Sequence, residues 1–408
     1  MITTDPSTSS RRAGARKPKR SLAPRANFVS RWLFPGALIG LAVATVMLGL
    51  NAKELVLNSR DGNIATALTD PAAPGFAAEV VPTPTLLVVQ TTDKGEMVSA
   101  AILSLASADG GGTMLFFPSD LLVKLPTGDS STLAKVYADA GPQGEIALRR
   151  LLTRMIDADI DSSVNIGSKA LEELVRPVAP LQYILRDNVR TVQNGVAVTL
   201  LRSGQVSIST VEQVQAATEI LGPGEASVNR TARQVAFWQA WFDALHKVAD
   251  KSTVLPAINA PLVRFAKSFG TGTTYLEQAP FTETVVKGLT VLVADPVAIA
   301  KIADRMIPYP VAYEPGARLL VEVRNGVGDL TRNEPMNRKI VNASGQIVVL
   351  GNTEAFGVAT SSVVFYDEEL RTRVEAFAKA IGLPAPQFVD RPGSSIEVTV
   401  TIGANFTS

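Results

Sequence analysis

Residues 32–50 read WLFPGALIGLAVATVMLGL, nineteen positions without a charge, an Asn or a Gln. At ~1.5 Å rise per residue a helix of this length is about 28 Å long and matches a hydrocarbon core of ~30 Å, so the run is predicted to be a transmembrane helix. A secretory signal has a shorter apolar stretch, roughly 7–15 residues, and a small-residue cleavage site; Ala52 followed by Lys53 and Glu54 makes a poor one. A core helix apolar on every side needs a large domain around it, whereas this run lies between a basic tail and a proline-rich stretch.

The tail sets the direction. Residues 1–31 hold eight bases (Arg11, Arg12, Arg16, Lys17, Lys19, Arg20, Arg25 and Arg31) against one acid, Asp5. Positive charge beside a membrane helix stays in the cytoplasm, so this tail is predicted to face the anionic membrane surface and the rest of the chain to be extracytoplasmic. The formal charge of +1 is then a sum of opposites, because beyond residue 31 there are 31 bases and 37 acids, a net of −6. RRAGARKPKR also looks like a phosphate-binding arm, but it lacks an aromatic residue for base stacking and runs into the membrane helix, so no nucleic-acid partner is expected.

Composition closes other routes. With no Cys, a thiolate metal site is excluded, and with His246 as the one His, so is a multi-histidine zinc site; any histidine triad would have to use that residue. At 408 residues, 46% of them hydrophobic, the chain can build two or three cores.

From residue 58 to 84 four prolines and no helical period predict an extended spacer, with folding from Thr85. Short apolar runs bounded by Gly, Asp or Pro, at 85–92, 100–107 and 113–118, read as buried strands, the last two joined by a DGGG turn. Leu148, Leu151, Leu152, Met155 and Ile156 recur at helical spacing, and a second helix is predicted at 168–176. A strand is expected at 288–295, followed by a helix capped by Asp295 and opened by Pro296. Three prolines in residues 307–317 mark a linker. Beyond it strands and helices alternate in a small α+β unit, with Ala376, Phe377 and Ala380 inward on a helix that Gly382 stops.

The most informative helix is SVNRTARQVAFWQAWFDALHKVAD, residues 227–250. Its stripe of Phe237, Trp238, Trp241, Phe242 and Leu245 continues backward through Gln234, Arg233 and Arg230. Inward guanidinium groups need partners. Either Arg230 and Arg233 present forked donors to phosphate oxygens, or they pair with protein carboxylates or reach water at the helix end.

The order of features resembles the LytR-CpsA-Psr family of cell-envelope proteins. The resemblance is carried by LLVVQTTD, TMLFFPSDLLVKLP, LAKVYADAGPQG, LLTRMIDADIDSSVNI and NRTARQVAFWQAW. The C-terminal unit resembles the LytR C-terminal domain of actinobacterial members through VEVRNGVGDL and YDEELRTRVEAFAKAIGLPAPQFVDRPGSSIEVTVTIGANF. It implies an α/β domain, a mixed sheet with helices on both faces, followed by the small α+β domain. The expected divisions are a tail 1–31, a transmembrane helix 32–50, a spacer 51–84, a LytR-CpsA-Psr-like domain 85–306, a linker 307–317 and a C-terminal domain 318–408.

By resemblance the function is binding of a polyprenyl-(pyro)phosphate-linked glycan precursor in an apolar cavity, with transfer of glycopolymer to peptidoglycan by a Mg²⁺-assisted phosphotransferase. The alternative is a catalytically degenerate envelope scaffold that binds lipid or other envelope proteins. Arg230, Arg233 and Gln234 match the family's arginine-x-x-arginine-glutamine segment as ligand-binding residues. Asp120 would join the two arginines as a catalytic residue and hold Mg²⁺, with Asp93 and Glu96 as further metal candidates. Elsewhere the pattern breaks: KGEMVS stands where an arginine-bearing segment is expected, Ser119 replaces an arginine before Asp120, and Glu219 falls near another. Lost arginines weaken phosphoryl transfer, so the resemblance leaves activity open.

Overall fold

The structure, a computed structural model, describes residues 68–407 except 106–108, 256–259 and 287–288, and the short antiparallel strands Ser59–Arg60 and Asn63–Ile64. The basic tail and the apolar run 32–50 lie outside the described residues. Among the described residues no helix is long and apolar enough to cross a membrane. Residues 68–408 form one unit, distinct from residues 1–67.

Its first sheet is built from β1 (Thr85–Thr91), β2 (Met97–Ser104), β3 (Gly112–Pro118), β4 (Ser162–Gly167) and β5 (Thr274–Gln278). The order is β5-β3-β2-β1-β4, with β5 parallel to β3, β4 parallel to β1, and both inner pairings antiparallel. Strands β1 and β2 are buried throughout because side chains alternate between two covered faces. Leu86, Val88, Ala101 and Phe116 point into one core, and Leu87, Val89, Ala100 and Phe117 into the other. The glycine turn between β2 and β3 is required: Gly111 has φ +85°, and a Cβ there would stand 2.1 Å from the Thr273 carbonyl oxygen.

Helix α1 (Gly144–Ile156) covers one face and α2 (Ser168–Val175) the other. After α3 (Val211–Thr218), α4 (Ser227–His246) and α5 (Ala260–Phe269) complete the α2 side, while α6 (Pro296–Met306) joins α1 opposite. The expected mixed sheet with helices on both faces is therefore present. Asp295 caps α6 by accepting from the Ala298 N–H at 3.0 Å, as its sequence predicts.

A long ribbon leaves this domain between α2 and α3. Leu181–Leu185 pairs with Gly204–Ile208, and Val189–Gln193 pairs beyond a kink with Val196–Leu201. Asn194 and Gly195, both at positive φ, close it.

The second sheet holds β6 (Leu319–Asn325), β7 (Gly345–Asn352), β8 (Ser362–Phe365), β9 (Gln387–Phe388) and β10 (Val398–Ile402), in the order β9-β8-β10-β6-β7. Helices α7 (Asn333–Asn342) and α8 (Arg371–Ala380) contribute Met336, Ile340, Val374 and Phe377 to its core. On α8 the buried residues are Val374, Phe377 and Ala378; Ala376 and Ala380, expected inward, are exposed because the stripe is set by Val374 and its neighbours at i+3 and i+4. Gly382 follows at φ +76°. Folded structure also begins before Thr85. Ala77–Glu79, within the expected spacer, adds a sixth strand antiparallel to β7, and the Asn352 amide holds the Pro71 and Ala73 carbonyls at 2.9 and 2.7 Å.

The linker 307–317 is docked between the two sheets' domains. Thr83 and Tyr309 exchange hydrogen bonds, and Asp159 N–H donates to Val311. Arg318, nearly fully buried, pairs with Asp157 at 2.9 Å and donates to the carbonyls of Asp157, Val341 and Gly345.

Candidate functional site

The N-terminal half of α4 carries the residues singled out by periodicity. Arg230, Arg233 and Gln234 are 8%, 7% and 0% exposed, so the inward stripe extends through them as expected. What they meet is protein. Arg230 donates from Nη2 to the Val98 carbonyl (2.9 Å) and the Ser119 hydroxyl (2.8 Å), and from Nη1 to the Glu219 carbonyl (3.2 Å). Arg233 pairs through Nη1 with the Glu225 carboxylate and donates Nη2 to the Ile220 carbonyl. Gln234 donates to the Thr218 carbonyl (2.8 Å) and to Gln90 (3.1 Å), whose own amide reaches the Thr218 hydroxyl at 2.8 Å.

Charge follows the same pattern. Burial pushes the Glu219 carboxyl above its usual range, Asp93 adding to the effect while the Ser168 hydroxyl and Arg230 oppose it. Burial also lowers Arg230, with the Asp120 charge acting against the shift. Two guanidinium groups thus lie among three carboxylates, Glu225, Glu219 and Asp120. The buried atoms without a hydrogen bond include donors, Arg230 Nε and Arg233 Nε, and acceptors, Glu219 Oε1 and Gln234 Oε1. A phosphate supplies only acceptors at neutral pH; this mixture suits water. Tyr183, nearby, has its phenol pushed up to about 12 by burial, with Arg233 acting in the opposite direction.

The metal candidates are not assembled into a cation cage. Asp120 is exposed at the end of β3 and accepts from the Ser227 hydroxyl at the first position of α4. Asp93 lies exposed in the β1–β2 loop and accepts from Gln215 at 3.3 Å, and Glu96 is exposed in the same loop. Among the described residues no three His, Cys, Asp or Glu side chains come together as a metal-binding group. The donor set does not fit a resident Mg²⁺: of the three carboxylates beside the arginines, Glu225 is paired with Arg233 and Glu219 is raised by burial, which leaves Asp120, enough only for an ion that brings phosphate oxygens with it.

The interior between the sheet and α4 is closely packed. Between the sheet and Trp238 the space lined by Val88, Gln90, Ala101, Met114, Phe116 and Leu171 is about 10 Å³, room for one water at most. Trp238 packs edge-on to Trp241 at 5.4 Å, and Phe242 stacks on Phe269 at 4.8 Å. A larger cleft of about 500 Å³ opens on another side of α4, between Ile184, Leu185, Val235, Ala236 and Leu276, with Arg233 at its wall and Arg186 and Asp187 at its rim.

Gln90, Thr218 and Glu225 belong to this network, with Tyr183 beside it, and were not evident in the sequence. Only Gln90 had a signal, a lone amide in a buried strand otherwise made of aliphatic residues between two threonines.

No family model matches the chain, and no curated protein matches it. Its described fold is distantly similar to several solved structures. TagV of B. subtilis matches at 13% identity over 55% of this chain and 96% of that one, TM-score 0.45. The transcriptional regulator EF0465 of Enterococcus faecalis matches at 17% over 55% and 86%, TM-score 0.42. The LytR-CPS2A-psr family protein YwtF (TagT), solved with bound octaprenyl pyrophosphate lipid, matches at 14% over 61% and 95%, TM-score 0.41.

Proposed function

We propose that this chain is a membrane-anchored, extracytoplasmic protein of cell-envelope assembly, related to the LytR-CpsA-Psr proteins, whose phosphate site has become structure and which acts as a scaffold. The reading rests on the sequence resemblance for the family and on one observation for the loss of chemistry. The two arginines that would clamp a pyrophosphate direct their Nη donors to Val98, Ser119, Glu219, Ile220 and Glu225, and carboxylates surround them.

Transfer from a pyrophosphate loads negative charge on phosphoryl oxygens, and the groups that lower its barrier are preorganised cations and donors aimed at them. To recruit Arg233, a phosphate would have to displace Glu225 from a buried pair. It would also meet Glu219, an acid where the resemblance expects an arginine. Arg230, Arg233 and Gln234 instead bind α4 to the β1–β2 end of the sheet and to the loop after α3. In this proposal the apolar run 32–50 holds the body at the membrane, residues 1–31 lie on its cytoplasmic face, and the C-terminal unit is a LytR C-terminal-like domain available to envelope partners. Contact with a polyprenyl-linked glycan is confined to the cleft beside Ile184 and Leu276, whose size suits a ligand of drug-like dimensions.

The test takes the full chain in detergent, with a polyprenyl-pyrophosphate-linked glycan as substrate. The expected result is release of glycan phosphate at background, with or without Mg²⁺, and no further change in Asp120→Asn. Mg²⁺-dependent turnover that Asp120→Asn abolishes would replace the scaffold by the transferase.

A further inference from the structure

The ribbon that projects between α2 and α3 combines features that neither the core nor the arginine network uses. Its base is buried through Leu181, Leu185, Val206 and Ile208. Beyond the kink it is apolar and exposed: Val192 and Val196, on either side of the Asn194-Gly195 turn, are 54% and 64% exposed, and Ile184 at the base is 74% exposed. Ala197 and Leu200 are exposed too. Tips of solvated hairpins are ordinarily polar, so this one calls for a covering surface.

Its charges say which. Arg186 and Arg202 stand at the kink, where Ser203 N–H donates to Asn188, and Arg190 stands above it on the strand face that also carries Val192. None of these three guanidinium groups has a hydrogen bond or ion pair among the described residues. Several arginines elsewhere on the surface are tied down, as Arg305 to Glu277, Arg332 to Asp329 and Arg371 to Glu368. Asp187 is the single acid of the ribbon, whose residues 181–208 therefore carry a net +2 on a body of net −6. An anionic bilayer repels an acidic body and attracts such a patch.

We infer that the ribbon of residues 181–208 docks on an anionic lipid surface, with Val192 and its cross-strand partner Ala197 entering the interface and Arg186, Arg190 and Arg202 on the head groups. The geometry also fixes its posture. At ~3.3 Å per residue the kink lies about 20 Å behind the tip, so an upright ribbon would hold Arg186 and Arg202 beyond a Debye length of ~8–10 Å. The ribbon must lie inclined, the face bearing Arg190 and Val192 downward. The cleft rimmed by Arg186 and Asp187 then opens beside the bilayer. This inference shares with the proposed function only a body placed near a membrane, and does not depend on the fate of the arginine site.

The chain has no Cys, so one label reports one position. Full chain carrying Val192→Cys with an environment-sensitive fluorophore is mixed with vesicles of phosphatidylcholine, alone or with phosphatidylglycerol, containing nitroxide-labelled lipid. Val297→Cys, on α6, serves as the control. Quenching at position 192 and not at position 297 is expected in the phosphatidylglycerol vesicles. At ~1 kcal/mol per basic residue, about fivefold in partition, changing Arg186, Arg190 and Arg202 together to Gln should weaken it on the order of a hundredfold, and changing them to Lys should retain it. Equal quenching at both positions, quenching indifferent to the arginines, or protection of the tip only by an added protein would overturn the inference. Flotation with phosphatidylglycerol vesicles but not with phosphatidylcholine alone would remove the membrane anchor, and supports the ribbon where changing Arg186, Arg190 and Arg202 to Gln abolishes it; flotation unchanged in that variant would assign it to the tail 1–31 and overturn the inference. Flotation with neither would remove both.

Discussion

At the scale of the residue, the decisive contact is Arg233 with Glu225. A buried ion pair contributes little net stability while intact, yet loss of one partner strands the other charge. Arg233→Ala should therefore cost about 3–5 kcal/mol in urea unfolding of the unit from residue 68 onward, with no ligand present. Arg233→Met combined with Glu225→Leu should recover most of it; a double variant as damaged as the single one would show that the guanidinium is held by something other than its carboxylate. Glu219 offers a test in pH. Its carboxyl is raised by burial, so the ionised form weakens the fold: both states are protonated below the ordinary value, and stability falls as pH rises through the shifted range. Glu219→Gln should raise the melting temperature at neutral pH, and the gain should vanish below about pH 4, near the ordinary Glu value. A gain that persists in acid would assign the effect to packing.

Among the elements, α4 shows what sequence could and could not disclose. Its stripe from Arg230 to Leu245 was legible because helical period is a property of the segment alone, and the same holds for β1 to β3 and for the Asp295 cap of α6. The partners were not legible. Val98 lies 132 residues from Arg230, and Glu225, though close in sequence, carries no periodicity that ties it to Arg233. The closed interior was equally hidden, since an aromatic stripe of Trp238, Trp241 and Phe242 reads alike whether it lines a tunnel or fills one. Ala376 and Ala380 were misassigned for a related reason: small residues fit either face of α8. Trp238→Ala should cost about 3–5 kcal/mol and open an apolar cavity between α4 and the sheet that an apolar dye can enter. Unchanged dye binding would mean that the sheet and helices collapse on the gap.

For the whole molecule, the docked linker makes one unit of what sequence divides into two domains. Arg318 is its joint, joined to Asp157 from the first domain and to Val341 and Gly345 from the second. Arg318→Ala should split a single thermal transition into two and expose residues 307–317 to protease; a single unshifted transition would place the coupling elsewhere. In the proposed function, the place where the resemblance expects a pyrophosphate is filled by the protein's own groups. Any ligand that binds the folded state raises its melting temperature. Titration of the full chain in detergent with geranylgeranyl pyrophosphate, against geranylgeraniol as the apolar control, should give no saturable rise beyond that of the alcohol. A saturable rise specific to the pyrophosphate and lost in Arg230→Lys would contradict the account.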